Sequence, residues 1–298
     1  MSPFCVLGEI DCQTVFAVGH AFMKIDFPGH SLTLTEPVAM GVLNTTPDSF
    51  SDGGRFEDLR SAVEQGRKLA ADGAAIVDVG GESTRPGAQS VSASQEAARV
   101  VPVIEELGKA LDVPVSIDTS KPEVMVAAVD AGAQMINDVC ALRSPGALSA
   151  AAELRVPVCI MHMQGEPRSM QANPGYADVV EEVYAFLSKR IDACLAAGIS
   201  ERKIILDPGF GFGKTLEHNL SLMNHLEKFV AAGLPVLIGV SRKSMIGSVL
   251  DRPVGERLYG GLSLSAVAAY KGAHILRTHD VRPTLDAISM AVAVRQGR

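Results

Sequence analysis

The chain lacks the features that mark thiolate metal sites, secreted disulfide proteins and membrane proteins. It has only five cysteines, at positions 5, 12, 140, 159 and 194, with no C-x-x-C pair and no histidine at metal-ligand spacing. This pattern favours free thiols in a reducing cytosol. No apolar run reaches about 18 residues, the length of a transmembrane helix. The first lysine is Lys24, so no basic leader is predicted. We therefore expect a soluble, cytoplasmic protein with no membrane partner.

An excess of positive charge is also missing. The 298 residues carry a formal net charge of −7, which argues against a general affinity for nucleic acid. An anionic substrate must therefore meet a local cluster of cationic groups. No composition shift or low-complexity segment divides the chain, so we predict one catalytic domain over residues 37–298. Residues 1–36 form a predicted extension, with a β-hairpin whose strands, 22–26 and 31–35, flank Pro28-Gly29.

From Pro37 onward, short Val/Ile-rich runs alternate with amphipathic helical segments. The predicted strands lie near 38–43, 75–80, 115–118, 134–138, 157–162, 203–207, 235–240 and 275–278. Strands that are almost continuously apolar indicate a parallel sheet, and eight such βα units predict an α/β fold of the (β/α)8 TIM-barrel type. The rival is an open doubly wound sheet, but no G-x-G-x-x-G fingerprint opens the first unit.

Two helix starts are predicted from their capping residues. Ser120 and Glu123 fit a capping box, in which the serine caps the helix and the glutamate reaches back to it. Ser144-Pro145 predicts a second start, with the serine as cap and the proline at the first helical position.

The stretch Met40–Arg55 contains an unusually long connection. A predicted strand runs into roughly 14 polar and small residues before the next helix, whereas such loops normally have 2–6. In a βα fold, the loops after the carboxyl ends of strands carry the chemistry. Asn44, where this strand ends, can offer a neutral oxygen to a hard cation.

Every predicted strand ends in polar side chains, and in a barrel these ends converge on one face. Two chemical groups emerge. One has acceptors suited to the N–H edge of a flat aminopyrimidinone ring, and the other has cations or donors suited to phosphate oxygens. The first group is Asp118, Asn137 and Asp207, and the second is Lys243, Arg277 and His279. Ser244 lies where a helix should begin after the seventh strand, which is a natural place for an anion.

A glycine-rich run, DPGFGFGKT over 207–215, ends like a nucleotide-binding P-loop. The P-loop motif requires a glycine where this chain has Pro208, and the spacing also fails the dinucleotide fingerprint. We interpret the run as a tight loop that lets Asp207 and Phe212 line a pocket.

Eight motifs in order resemble dihydropteroate synthases. They are GVLNTTPDSFSDGG, GGESTRPG, SIDTSKP, INDV, HMQGEP, DPGFGFGK, SRKS and RTHDV, and they extend over about Pro37 to Arg295. The resemblance implies a (β/α)8 homodimer that uses Mg²⁺. It also implies condensation of 6-hydroxymethyl-7,8-dihydropterin diphosphate with p-aminobenzoate, giving dihydropteroate and diphosphate.

The resemblance assigns roles to positions that match the family's motifs. They are Asp118, Asn137, Asp207 and Lys243 for pterin; Asn44, Arg277 and His279 for diphosphate; Phe50, Thr84, Arg85, Pro86, Phe212 and Ser244 for p-aminobenzoate; Asn44 for the metal; and Arg277, His279 and Lys243 for catalysis. No nucleophilic side chain is needed for this reaction. Two alternatives remain, a pterin-dependent methyltransferase and a non-catalytic pterin-binding paralogue. The methyltransferase has no use for a diphosphate site or the STRPG loop, and the paralogue would have lost residues such as Asn44 or Arg85.

Overall fold

The computed structural model describes residues 23–45, 55–83, 87, 90–166 and 169–298, apart from the side chains of 55–57. The strands are β1 Met23–Phe27, β2 His30–Leu34, β3 Val38–Asn44, β4 Ile76–Gly80, β5 Val115–Asp118, β6 Met135–Asp138, β7 Val158–Met161, β8 Ile204–Asp207, β9 Leu237–Ile238 and β10 Ile275–Thr278. The helices are α1 Arg55–Ala71, α2 Ala93–Ala110, α3 Pro122–Asp130, α4 Ala147–Leu154, α5 Val179–Ala196, α6 Leu216–Asn224, α7 Leu226–Val230, α8 Ser244–Leu250, α9 Leu258–Tyr270 and α10 Val281–Gln296. None of these helices is both long and apolar enough to cross a membrane.

Strands β3 to β10 form one parallel eight-stranded sheet, which confirms the predicted (β/α)8 barrel. Its order is β8-β7-β6-β5-β4-β3-β10-β9. The two end strands meet through a single parallel bridge between Leu206 and Val236, supported by a 2.8 Å hydrogen bond from the Leu206 amide to the Pro235 carbonyl. The barrel is therefore nearly closed, with its weakest seam between β8 and β9.

Alternate residues of each strand face the helices or the barrel interior. In β4, Val77 and Val79 belong to the large outer core that also contains Val100 and Ile104 of α2. Ile76 and Asp78 lie on the other side of the strand. Because both faces of such a strand are covered, its sequence is almost uniformly apolar, and this explains why the strands could be located from sequence.

The N-terminal hairpin closes one end of the barrel. Strands β1 and β2 pair antiparallel, from Met23 opposite Leu34 to Phe27 opposite His30, which confirms the predicted hairpin. Its apolar side chains join a separate cluster with residues from the inside of the barrel. That cluster contains Ile25, Phe27, Leu34, Met40, Ile76, Met135, Cys159, Ile205, Leu237 and Ile275. The hairpin thus covers the amino-terminal end of the strands and leaves the carboxyl-terminal end for the polar residues.

Both capping predictions are wrong. Helix α3 begins at Pro122 after Lys121, without a side-chain cap. The Ser120 hydroxyl instead donates to the Asp138 carboxylate on the next strand. Helix α4 begins at Ala147 after Gly146, whose φ of 81° is left-handed, so Pro145 precedes the helix. In both cases a tertiary contact or an extra turn displaces the local capping pattern.

Candidate active site

Polar side chains from neighbouring strands meet at the carboxyl-terminal mouth of the barrel. Asn44 ends β3 and Asp118 ends β5, with Gly80 of β4 between them in the sheet. A Cβ atom added to Gly80 would lie 3.8 Å from both Asn44 Oδ1 and Asp118 Oδ2. The absence of a side chain at Gly80 therefore leaves these two oxygens facing a common space.

A hydrogen-bonded ion network forms the wall of this space. Arg277 Nε donates to Asp78 Oδ2 at 2.7 Å, and Arg277 Nη2 donates to Asp118 Oδ2 at 2.7 Å. Asn137 Nδ2 donates to the same Asp78 oxygen at 3.0 Å. Arg277, predicted to meet the diphosphate, is therefore already held by two carboxylates, and through Asp78 it is joined to the predicted pterin residue Asn137.

The network perturbs the charges of its members. Burial raises the pKa of Asp118 to about 7, against the opposing effect of the Arg277 charge and with a further upward contribution from Asp78. Burial alone would lower the pKa of Arg277, but the two carboxylates raise it above its ordinary value. The guanidinium therefore stays charged, while the proton occupancy of Asp118 changes near neutral pH.

Asp207 ends β8 and begins the glycine-rich loop. Its Oδ1 accepts a 2.7 Å hydrogen bond from the Gly209 amide, and burial raises its pKa. At Gly209 φ is 74°, and a Cβ atom there would lie 1.9 Å from the His162 carbonyl oxygen. Only glycine allows the loop to approach β7 this closely, and this approach fixes the orientation of the Asp207 carboxylate.

Lys214 holds the shape of that loop from within the protein. Its ammonium donates to Gly209 O at 2.8 Å, to Phe212 O at 3.0 Å and to His162 Nδ1 at 3.0 Å. Burial lowers the pKa of Lys214 to about 7. The pKa of His162 falls to about 3, through burial and the neighbouring Lys214 charge. His162 is therefore neutral, with Nδ1 as acceptor. The lysine that suggested a P-loop serves the internal packing of the loop instead.

Phe212, in the same glycine-rich loop, lies against Lys243. The Gly211 amide donates to Asn219 Oδ1 at 2.7 Å, and the Gly211 carbonyl accepts from Gln171 Nε2 at 2.5 Å. Lys243 Nζ lies 4.1 Å from the centre of the Phe212 ring, at cation–π distance. Burial lowers the pKa of Lys243 to about 8, although the Asp207 charge opposes the shift. Asp207, Phe212 and Lys243 therefore share one region, as the pocket interpretation of the loop requires.

The last of the residues predicted to meet phosphate oxygens is His279, which follows β10. Its Nδ1 lies 3.0 Å from the Ser241 hydroxyl, and its backbone amide donates to the same oxygen at 3.3 Å. Ser244 lies nearby in the chain as the exposed first residue of α8. The prediction that a helix begins at Ser244 is therefore confirmed.

Four predicted residues of the p-aminobenzoate pocket, Phe50, Thr84, Arg85 and Pro86, lie outside the described residues. Residues on both sides of the STRPG loop, Glu82 and Val91, are described, however. Glu82 Oε1 accepts from the Val91 amide at 3.0 Å, and Glu82 Oε2 pairs with Lys121 Nζ. Lys121 also pairs with the buried Glu96. These contacts join the two ends of the segment that contains the STRPG sequence.

The described residues include no group of three or more His, Cys, Asp or Glu side chains able to hold a metal ion. Asn44 supplies one neutral oxygen at the mouth, with the carboxylate of Asp118 across Gly80. This donor set is too small for an all-protein metal site. It fits an ion such as Mg²⁺ that takes most of its ligands from phosphate groups and water.

Comparison with known proteins identifies the family. The family described as "Pterin binding enzyme" matches residues 40–279. The dihydropteroate synthase of Escherichia coli K12 is 51% identical over 271 residues, covering 91% of this chain and 96% of its own length. The chain belongs to the dihydropteroate synthase family. Two solved structures of Xanthomonas albilineans dihydropteroate synthase support this assignment. The one with 4-aminobenzoic acid has a TM-score of 0.87 at 50% identity and covers 92% of this chain and 98% of its own. The one with 7,8-dihydropteroate has a TM-score of 0.83 at 47% identity and covers 91% of this chain and 98% of its own.

Dihydropteroate synthases are transferases of folate biosynthesis, and this chain is an enzyme of that class. The match decides against the methyltransferase and the non-catalytic paralogue. Sequence reasoning missed three residues that contact the predicted site residues or their loop, namely Asp78, Lys214 and Ser241. A charged residue within an otherwise apolar buried strand was the available signal for Asp78, because such residues are almost never fully buried without a partner. Lys214 and Ser241 lie within the quoted motifs DPGFGFGK and SRKS, but the motifs do not show their contacts with His162 and His279, which are 52 and 38 residues away in sequence.

Proposed function

We propose that the carboxyl-terminal mouth of the barrel binds the pterin diphosphate through Asp118, Asn137, Asp207 and Lys243. The observation that carries this proposal is the buried Asp207 carboxylate, oriented by the Gly209 amide beside Lys243. A carboxylate accepts two parallel hydrogen bonds from the 2-amino and ring N–H groups of a pterin. Lys243 adds a donor for ring acceptors, and the Asn137 amide offers both a donor and an acceptor.

We propose that p-aminobenzoate binds next to the pterin, against Phe212 and the start of α8 at Ser244. Phe212 provides an apolar ring, and the amino end of α8 presents backbone amides to a carboxylate. The Phe212 ring lies on Lys243, so the two substrate pockets share a wall. Phe50, Thr84, Arg85 and Pro86 are assigned to the same pocket on their sequence motifs alone.

The reaction proposed for this site is displacement of diphosphate at the pterin methylene carbon by the aromatic amine. Arg277, His279 and Lys243 stabilise the negative charge that develops on the departing diphosphate. Asp118, Asn137 and Asp207 hold the ring so that its methylene group faces the amine. No side-chain nucleophile takes part. The carbon–nitrogen bond forms as the carbon–oxygen bond to diphosphate breaks, the bonding pair stays on the diphosphate oxygen, and the amine proton passes to diphosphate or water.

Mg²⁺ is proposed as the metal ion, with Asn44 as its protein ligand. When bound, it neutralises charge on the diphosphate and so makes it a better leaving group. Asn44 offers a hard oxygen ligand at the mouth, which suits an ion carried mainly by phosphate oxygens. The test is chelation with EDTA followed by return of Mg²⁺, and full activity in EDTA contradicts the proposal.

Arg277→Ala tests the leaving-group assignment. Removal of one charge-stabilising donor is expected to lower kcat on the order of 10²-fold at saturating substrates and Mg²⁺. Diphosphate release measured with and without p-aminobenzoate reports this loss. Arg282→Ala is the matched control, because the one ion pair of Arg282 within the described part of the chain is with Asp286 on the exposed surface of α10. A near-normal kcat in Arg277→Ala overturns the assignment.

The chain is proposed to act as a homodimer through α9 and α10. These helices pack on each other, and each exposes large apolar side chains toward solvent. Tyr259 is 78% exposed and Tyr270, eleven residues later, lies on the same side of α9; Met290 and Val294 form a pair one turn apart on α10. Exposed apolar patches of this kind mark protein interfaces. Tyr259→Glu should shift sedimentation toward a monomer, and an unchanged dimer, or a wild type that sediments as a monomer, excludes this face.

The cytoplasm is the proposed location. The described cysteines, Cys140, Cys159 and Cys194, are all free thiols, which suits a reducing compartment. Fractionation of cells into periplasmic and cytoplasmic extracts tests this location, and recovery of the protein in the periplasmic extract contradicts it.

A further inference from the structure

Asp78 is a fully buried carboxylate in the middle of β4. It has 0% exposure, and its inward-facing neighbour on the strand, Ile76, belongs to the apolar interior of the barrel. One oxygen, Oδ2, accepts both Arg277 Nε at 2.7 Å and Asn137 Nδ2 at 3.0 Å. A single carboxylate atom thus links a residue assigned to the leaving group with a residue assigned to the pterin ring.

The two oxygens of Asp78 differ in their surroundings. Oδ1 is buried and has no hydrogen-bond partner among the described residues. A buried acceptor without a partner costs free energy, and buried ion pairs are often replaced by apolar side chains without loss of stability. Arg277 also has a second carboxylate partner in Asp118, so its charge is already compensated without Asp78.

Two carboxylates on one arginine fix the orientation of its guanidinium group, which compensation of the charge alone does not require. With Nε held by Asp78 and Nη2 held by Asp118, the plane of the guanidinium has no freedom to rotate. Its Nη1 makes no hydrogen bond within the described part of the chain. Asn137 is oriented at the same time, because its Nδ2 is committed to Asp78 and its Oδ1 is turned away from that bond.

We propose that Asp78 is a positioning residue, which sets the orientation of Arg277 and Asn137 relative to each other and so aligns the diphosphate with the pterin ring. This inference rests on the proposed function of those two residues. Asp78 itself does not touch substrate. Its effect passes through two hydrogen bonds that converge on one atom, and removal of such an orienting contact typically costs 10–100-fold in activity.

The test separates the hydrogen bonds of Asp78 from its charge. In Asp78→Asn the amide oxygen can keep both donors, while the amide nitrogen occupies the place of the unpartnered Oδ1. Asp78→Asn should therefore keep kcat/KM for the pterin substrate within about fivefold of wild type. Asp78→Leu fills a similar volume but accepts no hydrogen bond, and its kcat/KM should fall by about 30-fold or more. The KM for p-aminobenzoate should change less than threefold in both.

Ser116→Ala is the matched control. Ser116 lies opposite Asp78 in the sheet register, is also 0% exposed, and has a hydroxyl that finds no hydrogen-bond partner among the residues described. Its removal deletes a buried polar atom from the same layer without touching Arg277, so activity should remain at the wild-type level. If Ser116→Ala lowers activity as much as Asp78→Leu, the effect comes from disturbance of the barrel interior, and the inference is overturned.

A double variant distinguishes this inference from the proposed function. If Asp78 acts through Arg277, adding Asp78→Leu to Arg277→Ala should lower kcat/KM by less than about threefold further. Fully additive losses overturn the inference. If kcat/KM falls in Arg277→Ala but not in Asp78→Leu, the inference is overturned and the proposed function stands. Wild-type activity in Arg277→Ala overturns both. If Asp78→Leu does not fold, Asp78→Ala takes its place, and failure of both to fold assigns Asp78 to stability and overturns the inference.

Discussion

Asp207→Asn replaces one carboxylate oxygen by an amide nitrogen and leaves the volume of the side chain almost unchanged. The structure predicts which oxygen is lost. Asp207 Oδ1 accepts the Gly209 amide at 2.7 Å, and only an oxygen can fill that position. The asparagine is therefore held with its oxygen on Gly209 and its NH₂ group at the place of Oδ2. An acceptor for the pterin becomes a donor that faces another donor.

The size of the effect follows from this geometry. Loss of a charge-assisted hydrogen bond, together with a ligand N–H left unpaired, costs roughly 2–4 kcal/mol. That range corresponds to about 30- to 1000-fold weaker binding. The fold should not suffer, because the Gly209 contact is kept and burial already disfavours the Asp207 charge, as its raised pKa indicates. We therefore expect a large loss of affinity without a lower Tm.

Isothermal titration calorimetry with a pterin ligand measures the affinity, and thermal unfolding measures the stability. Asp26→Asn is a suitable control, since Asp26 lies in the hairpin at the opposite end of the barrel, where it accepts from Ser31 and lies 3.9 Å from Arg202 Nη1. Asp26→Asn should bind like wild type. An Asp207→Asn affinity within threefold of wild type refutes both the pterin assignment and the argument from the Gly209 contact.

Two further predictions concern the packing behind the site. Gly209→Ala should destabilise the protein by about 3 kcal/mol or more in urea unfolding, because its Cβ would meet the His162 carbonyl. Gly233→Ala has a similar positive φ but open space and should cost only about 1 kcal/mol, so equal losses contradict the close-approach argument. His162→Asn keeps an acceptor for Lys214 but cannot titrate. Wild-type stability should fall as the pH drops from 6.5 toward about 3, because in this range His162 binds a proton in the unfolded chain but stays neutral in the folded protein. The free energy of unfolding should fall by up to ~1.4 kcal/mol per pH unit. An equally steep pH dependence in His162→Asn contradicts the assignment of this effect to His162.

The strands and the polar residues at their ends were predictable because the barrel imposes its geometry on the sequence locally. A strand covered on both faces needs a nearly continuous apolar run, and its polar ending shows where that cover stops. Asn44, Asp118 and Asp207 each follow such a run and lie at the mouth of the barrel. The hairpin at Pro28-Gly29 was equally local, since the turn and both strands lie within a dozen residues.

The failed predictions concern contacts that local sequence does not contain. Ser120 reads as a helix cap, but the carboxylate of Asp138, eighteen residues later, takes its hydroxyl. Lys214 was missed rather than wrongly predicted, because the sequence excludes a P-loop and predicts no other role for this lysine; its acceptors include His162, 52 residues earlier. A polar side chain can bond to any partner that the fold brings close, whereas a capping pattern or a loop motif contains only the partners that are near in sequence.

The sequence alone determined that this chain forms a parallel barrel and which residue types gather at its mouth, because hydrophobic periodicity and strand ends are properties of short segments. The tertiary structure decided how those residues are connected. It joined Arg277 to Asp78 across 199 positions and to Asp118 across 159, and it set Phe212 against Lys243. Such pairings depend on the order and stagger of the strands around the barrel, which no single segment encodes.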